Sequence, residues 1–195
     1  MSVATTVTEL APQLAIVKQD LLFARERARG LCMHLPEGAF ATRPAPDMWS
    51  IGECLTHLNI TSERFIPLLD QALRDLRSRN LVGQGPFGRG LIGWALARFL
   101  EPPYRMKTKT TPAFVPARVE PMHEVLERFD YLQLEVQARV DRSAGLALDR
   151  VRIVSPFDGR VKYNLLAAFC ILTAHQRRHL WQAERVKAIV APTAT

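Results

Sequence analysis

Residues 163–187 read YNLLAAFCILTAHQRRHLWQAERVK, and both the fold and the candidate chemistry of the chain depend on this stretch. Its apolar residues recur at intervals of three and four, which predicts an amphipathic helix from Tyr163 to Lys187. Because histidines on an apolar face need polar partners, the two histidines of this helix are candidate functional residues. The side chains expected to point inward are Ala168, Leu172, His175, His179, Gln182 and Val186.

Three earlier segments have the same helical period, and we expect helices over Thr8–His34, Ser50–Arg79 and Pro121–Ser143. Four long helices predict an all-α protein with a four-helix bundle architecture. We expect one domain over residues 1–195, with loose ends near 1–7 and 190–195. The predicted apolar stripes of these three helices include Leu14, Leu21, Ala28, Leu58, Phe65, Leu73, Val125, Phe129 and Val136.

Two local signals refine the second helix. Ser50 followed three residues later by Glu53 predicts a capping box at its start. Pro67 should kink the helix near Glu63, because proline removes a backbone donor and its ring crowds the carbonyl four residues earlier.

The connection over residues 80–120 is long, and it makes a crossover between the second and third long helices. A short helix over 91–100 followed by extended chain fits its pattern best. Such a segment can form the wall of a pocket or simply join distant helix ends, and both readings stay open. Residues 146–161 alternate briefly and contain turn residues, which suggests a short hairpin-like loop.

The composition narrows the function classes. The chain has a formal net charge of +7 and a pI near 9.8, but its basic residues are spread through every helix and match no nucleic-acid motif. We therefore expect no nucleic-acid partner. Cys32, Cys54 and Cys170 are expected to be buried free thiols in a reducing compartment. Without a leader pattern or an apolar run of about 18 residues, we expect a cytoplasmic chain with no membrane partner.

The spacing of His175 and His179 puts both imidazoles on one helix face, one turn apart, as in a bidentate grip on a metal ion. His57 lies near the buried edge of the second helix, so the three could meet. Three neutral imidazoles suit Zn²⁺, Ni²⁺ or Fe²⁺ and leave coordination positions open. Core histidines with ordinary hydrogen bonds are the alternative. His34 and His123 stand at helix ends, where we expect them to face water.

Three further features near this site have two readings each. Cys54 could approach the metal, but a packed thiol is favoured. Glu53 could orient His57, although the capping role already explains it. The basic residues of the crossover could attract an anionic thiol, but a solvated surface is favoured; they are Arg105, Lys107 and Lys109.

Two blocks of the chain resemble DinB-like proteins of the DinB/YfiT type. They are MWSIGECLTHL at 48–58 and SPFDGRVKYNLLAAFCILTAHQRRHLWQ at 155–182, in the matching order. The resemblance implies a four-helix bundle over nearly the whole chain, with a divalent-metal site formed by His57, His175 and His179. It also implies frequent dimerisation, so we expect a homodimer. Some members of that family are thiol S-transferases that use bacillithiol or mycothiol, and many have no known activity.

Two functions follow from these observations. The first is a metal-dependent enzyme, a thiol S-transferase or a hydrolase, in which the ion activates a small thiol or water. Its partners would be a small-molecule thiol and an electrophile. The second is a non-catalytic stress-response or assembly module whose metal site is empty or vestigial. The sequence indicates no catalytic residue beyond the three candidate ligands.

Overall fold

A computed structural model describes residues 10–103 and 110–192 of the chain. Two short strands, β1 (Arg152–Val154) and β2 (Lys162–Asn164), pair antiparallel, and Pro112–Phe114 form a 3-10 turn. The described part is otherwise mostly helical, so the predicted all-α class is confirmed. The helices are α1 (Pro12–Cys32), α2 (Glu37–Ala41), α3 (Ile51–Ser78), α4 (Gly90–Leu100), α5 (Met122–Arg142) and α6 (Leu165–Val190).

The bundle consists of α1, α3, α5 and α6. Helix α3 packs against α5 and α6, and α1 packs against the same two, which places α1 diagonally across from α3. The crossover between α3 and α5 carries α4, which packs on the outside of α6 and against β2. No helix in the described ranges has the combination of length and apolar character that crossing a membrane requires.

The core has two apolar clusters separated by a polar layer. One cluster contains Leu21, Leu69, Val136 and Leu172, and the other contains Ala28, Leu55, Phe129 and Leu180. The stripe residues predicted for the first three long helices are buried, except Leu10 at the start of the first stripe, which is only partly buried. The layer between the clusters is also buried, and it includes Thr61, Ser62, Gln133, His175, Gln176 and His179.

Helix α3 begins as the sequence predicts. Ser50 is its N-cap: the Ser50 hydroxyl accepts from the Glu53 backbone N–H at 3.1 Å, and the Glu53 carboxylate accepts from the Ser50 N–H at 2.8 Å. This reciprocal pair satisfies two backbone donors that the helix itself leaves unpaired. The helix then continues through Pro67 as one element to Ser78.

Helix α6 begins two residues later than predicted. Tyr163 and Asn164 belong to β2, where Tyr163 pairs with Ile153. The Asn164 side chain then accepts from the Ala167 N–H at 2.9 Å and caps the helix, which starts at Leu165. A short hairpin is present where the sequence predicted one over 146–161. Its first strand, β1, lies within that range, and its second strand, β2, lies just after it.

The other boundaries differ by small amounts. The described part of α1 starts at Pro12, and Thr8 lies outside the described residues. Helices α4 and α5 begin and end within one residue of the predicted bounds. Helix α2 lies between α1 and α3, where the sequence predicted no helix; its Phe40 is fully buried and anchors it to the core.

Candidate metal centre

The three predicted histidines converge inside the bundle. Helix α6 presents His175 and His179 from successive turns, and α3 presents His57 opposite them. Their exposed fractions are 5%, 8% and 1%, so all three are buried. One ring nitrogen from each lies within 4.8 Å of those from the other two. Within the described ranges, this is the group of such side chains whose spacing could hold a metal ion.

The distance between two of these nitrogens tests whether a metal ion fits. Nε2 of His57 and Nε2 of His175 are 3.2 Å apart. Two nitrogens bound to one ion at about 2.0–2.1 Å, at a tetrahedral angle, would be separated by about 3.3 Å. The ring nitrogens Nδ1 of His175 and His179 are buried without a hydrogen-bond partner among the described residues. The spacing and the neutral donor set therefore suit a divalent cation.

The orientation of His57 comes from the crossover. Its Nδ1 lies 2.7 Å from the backbone oxygen of Phe114. Because a carbonyl can only accept, Nδ1 carries the proton, and the lone pair of Nε2 is left facing His175. A ring N–H donated to a carbonyl is the usual outer contact of a metal-binding histidine. The described part of the crossover thus contacts the histidine group through Phe114, which favours the first of the two readings of that segment.

Glu53 does not orient His57. Its carboxylate accepts from the Ser50 backbone and from Arg43, whose Nε lies 2.8 Å from Glu53 Oε2. Burial by itself would raise the pKa of Glu53, but these donors together with the charge of Arg43 lower it. Its role is therefore to cap α3 and to hold the preceding loop.

Burial keeps the three imidazoles neutral. It lowers the pKa of His57 to about 4, and the bond to the Phe114 oxygen offsets only part of this effect. The pKa of His175 is well below its ordinary value, first because of burial and then because of the charges of His179, His57 and Arg178. The pKa of His179 is lowered in the same way, while a hydrogen bond with Gln182 opposes the shift. Neutral imidazoles keep the lone pairs that a metal ion requires.

Aromatic side chains surround the histidines. The Trp49 ring stacks on His179 with centroids 5.9 Å apart and lies 5.0 Å from His57. On the other side, Phe157 lies 5.3 Å from His175 and 4.7 Å from Phe114. Phe157 comes from the β1–β2 turn and Phe114 from the crossover, so two irregular segments meet over the site.

Sequence reasoning did not identify these aromatic residues as part of the site. Trp49 and Phe157 lie in the two blocks that resemble DinB-like proteins, and that position was the available signal. Phe114 had no comparable signal, because it lies in a proline-punctuated segment without periodicity.

Helix α6 also brings a cation close to the histidines. Arg178 is 5% exposed, and its guanidinium carbon lies 5.7 Å from the centre of the Phe99 ring. Its charge lowers the pKa of both His175 and His179. A positive charge beside neutral imidazoles disfavours their protonation and favours an anionic ligand.

The remaining candidates lie elsewhere. His34 and His123 are exposed, as predicted. Cys54 is fully buried in the apolar cluster that contains Leu55, outside the histidine group, and burial raises the pKa of its thiol. It is therefore a packed thiol. Cys32 is also buried, but Cys170 is only partly buried, so the expected burial of that third thiol is wrong. The basic crossover residues Arg105, Lys107 and Lys109 lie outside the described residues.

Comparison with known proteins gives one match. The family model described as the DinB superfamily matches residues 20–183, a range that includes His57, His175 and His179. No curated protein and no solved structure matches the chain. The match covers α3 and α5 in full and α1 and α6 in part.

Proposed function

Because the chain belongs to the DinB superfamily, we propose that it binds one divalent metal ion through His57, His175 and His179. The observation that carries this proposal is the 3.2 Å approach of two buried imidazole nitrogens, one of them turned inward by the Phe114 carbonyl. Without an ion, three neutral rings crowded into a dry interior would gain little from this arrangement. Imidazole ligands accept several divalent metals, so the ion that is bound depends on which metal is available; the candidates are Zn²⁺, Ni²⁺ and Fe²⁺.

We further propose that the ion serves a thiol S-transferase reaction. A divalent ion here would hold a small thiol as its thiolate, or lower the pKa of a water. The chain's own residues supply three uncharged ligands, so the full positive charge of the ion is preserved. Trp49 and Phe157 provide apolar walls that suit an electrophile with an apolar part. Arg178 adds positive charge near the site, which favours an anionic thiol.

Metal content tests the site directly. Protein prepared without an affinity tag or a nickel column should carry about one equivalent of divalent metal, measured by elemental analysis. His175→Ala should lose that metal while circular dichroism shows an intact bundle. His34→Ala removes an exposed histidine and should keep the metal. Stoichiometric metal in the His175→Ala protein would contradict the assignment.

An activity assay distinguishes the two candidate functions, a metal-dependent enzyme and a non-catalytic module. Metal-loaded protein should consume a small thiol in the presence of an alkylating electrophile, faster than metal-free protein or His175→Ala. A metal-loaded protein without turnover would favour the module. A ligand that binds only the folded state must raise the melting temperature. If the protein binds no metal and its melting temperature is unchanged by Zn²⁺ or Ni²⁺, the site is vestigial.

We also propose that the chain forms a homodimer in the cytoplasm. Helix α4 supports the first part, since it exposes Leu91, Trp94 and Phe99 at 81%, 51% and 46%. Several large apolar side chains exposed on one short helix are a feature that protein–protein interfaces share. The free state of all three cysteines supports the second part, because a reducing compartment keeps thiols unpaired.

A further inference from the structure

The three histidines are almost closed off from solvent. His57, His175 and His179 are 1%, 5% and 8% exposed. A thiol and an electrophile therefore cannot both reach an ion held between these rings while the surrounding side chains stay in place. The inference that follows rests on the proposed transferase function, because a reaction at the ion requires access and a structural ion does not. One of the side chains that cover the site must move aside.

Among the described residues, three aromatic side chains touch the histidine rings: Trp49, Phe114 and Phe157. Two of them are poorly placed to move. Phe114 is 2% exposed, and its backbone oxygen holds the ring of His57, so its movement would release that ligand. Trp49 directly precedes Ser50, whose capping box fixes the backbone at the start of α3. The third cover, Phe157, has neither constraint.

Phe157 is partly exposed and belongs to the turn between β1 and β2, residues 155–161. Hydrogen bonds inside this turn preserve its shape. The Ser155 N–H donates to the Val161 oxygen at 2.8 Å, and the Val161 N–H donates to the Asp158 oxygen at 3.0 Å. Arg160 donates to the Asp158 carboxylate from both its backbone and its guanidinium. The turn can therefore move as one piece without losing its internal bonds.

The contacts between the turn and the bundle are easier to break. The Thr111 hydroxyl donates to the Phe157 oxygen at 3.5 Å, which is long for a hydrogen bond. Contacts between rings add to it: the Phe157 centroid lies 4.7 Å from that of Phe114 and 5.8 Å from that of Phe65. Separating these rings leaves no buried polar group without a partner, so it avoids the largest penalty of opening a protein interior.

The base of the hairpin is fixed, since Ile153 and Tyr163 pair across the two strands and are 4% and 3% exposed. The turn beyond them is the part that can swing. We propose that Phe157 is the gate of the metal centre. With the turn closed, its ring covers His175; with the turn swung outward, a thiol and an electrophile enter. The side chain at this position then determines how readily substrates reach the ion.

Chemical modification measures access to the histidines without requiring a bound ion. The probe is diethyl pyrocarbonate, which acylates neutral imidazole nitrogens, applied to full-length, chelator-treated protein at neutral pH. Peptide mass spectrometry gives the initial rate at each histidine, and the exposed His34 is the internal reference. In the wild type, His175 should react more slowly than His34 but faster than His57. Opening at Phe157 uncovers His175 first, whereas global unfolding would expose both rings equally.

Matched truncations of two aromatic covers locate the entrance. Phe157→Ala should raise the rate at His175 by about tenfold or more relative to His34, because the gate is then permanently open. Trp49→Ala removes a ring on the other side of the histidines and should change that rate much less. If circular dichroism shows that Phe157→Ala does not fold, Phe157→Leu replaces it, with a smaller increase in the same direction.

Three results would overturn the gate. They are an acceleration in Trp49→Ala that equals or exceeds that in Phe157→Ala, equal rates at His57 and His175 in the wild type, and a wild-type His175 that never reacts while His34 reacts fully. Metal content is measured on separate samples of the same variants and should match the wild type. Absence of metal would contradict the proposed function, and the modification rates would still decide whether Phe157 controls access.

Discussion

At the scale of single residues, the site depends on how one imidazole is held. His57 lies in a helix whose period predicts burial, and the structure finds it 1% exposed. Its useful orientation comes from the Phe114 oxygen, 57 positions later in the chain. Burial and this contact together leave a neutral ring with its Nε2 lone pair directed at His175.

The lowered pKa of His57 predicts how metal-free protein responds to acid. The ring titrates near pH 4 in the folded state and near 6.5 when unfolded, so the unfolded chain binds more protons between these values. Stability should therefore be unaffected by His57 above about pH 6.5 and fall as pH drops towards 4, by about 3 kcal/mol in total. Urea denaturation in the presence of a chelator, at several pH values, measures this.

Matched variants isolate the contribution of His57. His57→Asn should show a shallower loss of stability across the same pH range, whereas His34→Ala, at an exposed position, should follow the wild type. A wild-type stability that stays flat between about pH 6.5 and about pH 4 would show that the ring is not buried as described.

At the scale of elements, the size of the side chain at a contact decides how closely two helices can pack. Helix α4 lies against α6 through Gly93, where a Cβ would come within 2.3 Å of the Ala167 Cβ. Gly30 in the last turn of α1 has nothing within 4 Å of the corresponding point. Two helical glycines therefore have opposite roles: one permits packing, and the other only weakens its helix.

Alanine at these two glycines should have effects of opposite sign. Gly30→Ala should raise the free energy of unfolding by about 0.5–1 kcal/mol, because it reduces the entropy of the unfolded chain. Gly93→Ala should lower it by about 1–3 kcal/mol through overpacking against Ala167. Urea denaturation of both variants tests the pair. A Gly93→Ala protein as stable as Gly30→Ala would mean that α4 does not pack closely on α6.

At the scale of the whole molecule, the bundle consists of two apolar clusters with a polar layer between them. The layer includes Gln176, whose amide donates to Gln133 at 2.9 Å, and the histidines lie beside it. A polar layer inside a bundle is unfavourable unless its groups find partners. A metal ion bound there would join α3 to α6 and offset part of that cost.

The proposed homodimer is tested at this same scale. Sedimentation should give twice the chain mass of 22.0 kDa for the wild type. Trp94→Asp puts a charge on the exposed apolar face of α4 and should give the mass of a single chain. Ile189→Asp, 58% exposed near the end of α6, is the control and should remain dimeric. A wild-type protein that sediments with the mass of one chain, 22.0 kDa, would contradict the proposed homodimer.

The sequence by itself determined the helices, because their period and caps are local properties. The stripe from Leu14 to Ala28 is buried as predicted, and the Ser50–Glu53 capping box forms at the predicted residue. The same helical spacing, together with the resemblance to a family, also predicted the three histidines as one group. Each of these inferences needs only side chains that are a few positions apart, or blocks that occur in a known order.

Only the tertiary structure decided what surrounds the histidines. The Phe114 carbonyl on His57 and the Phe157 ring beside His175 both come from segments that are distant in sequence from those histidines. Segments without regular secondary structure have no hydrophobic period, so their position in the fold cannot be predicted from the sequence pattern. Their place follows from contacts that exist only once the helices have packed.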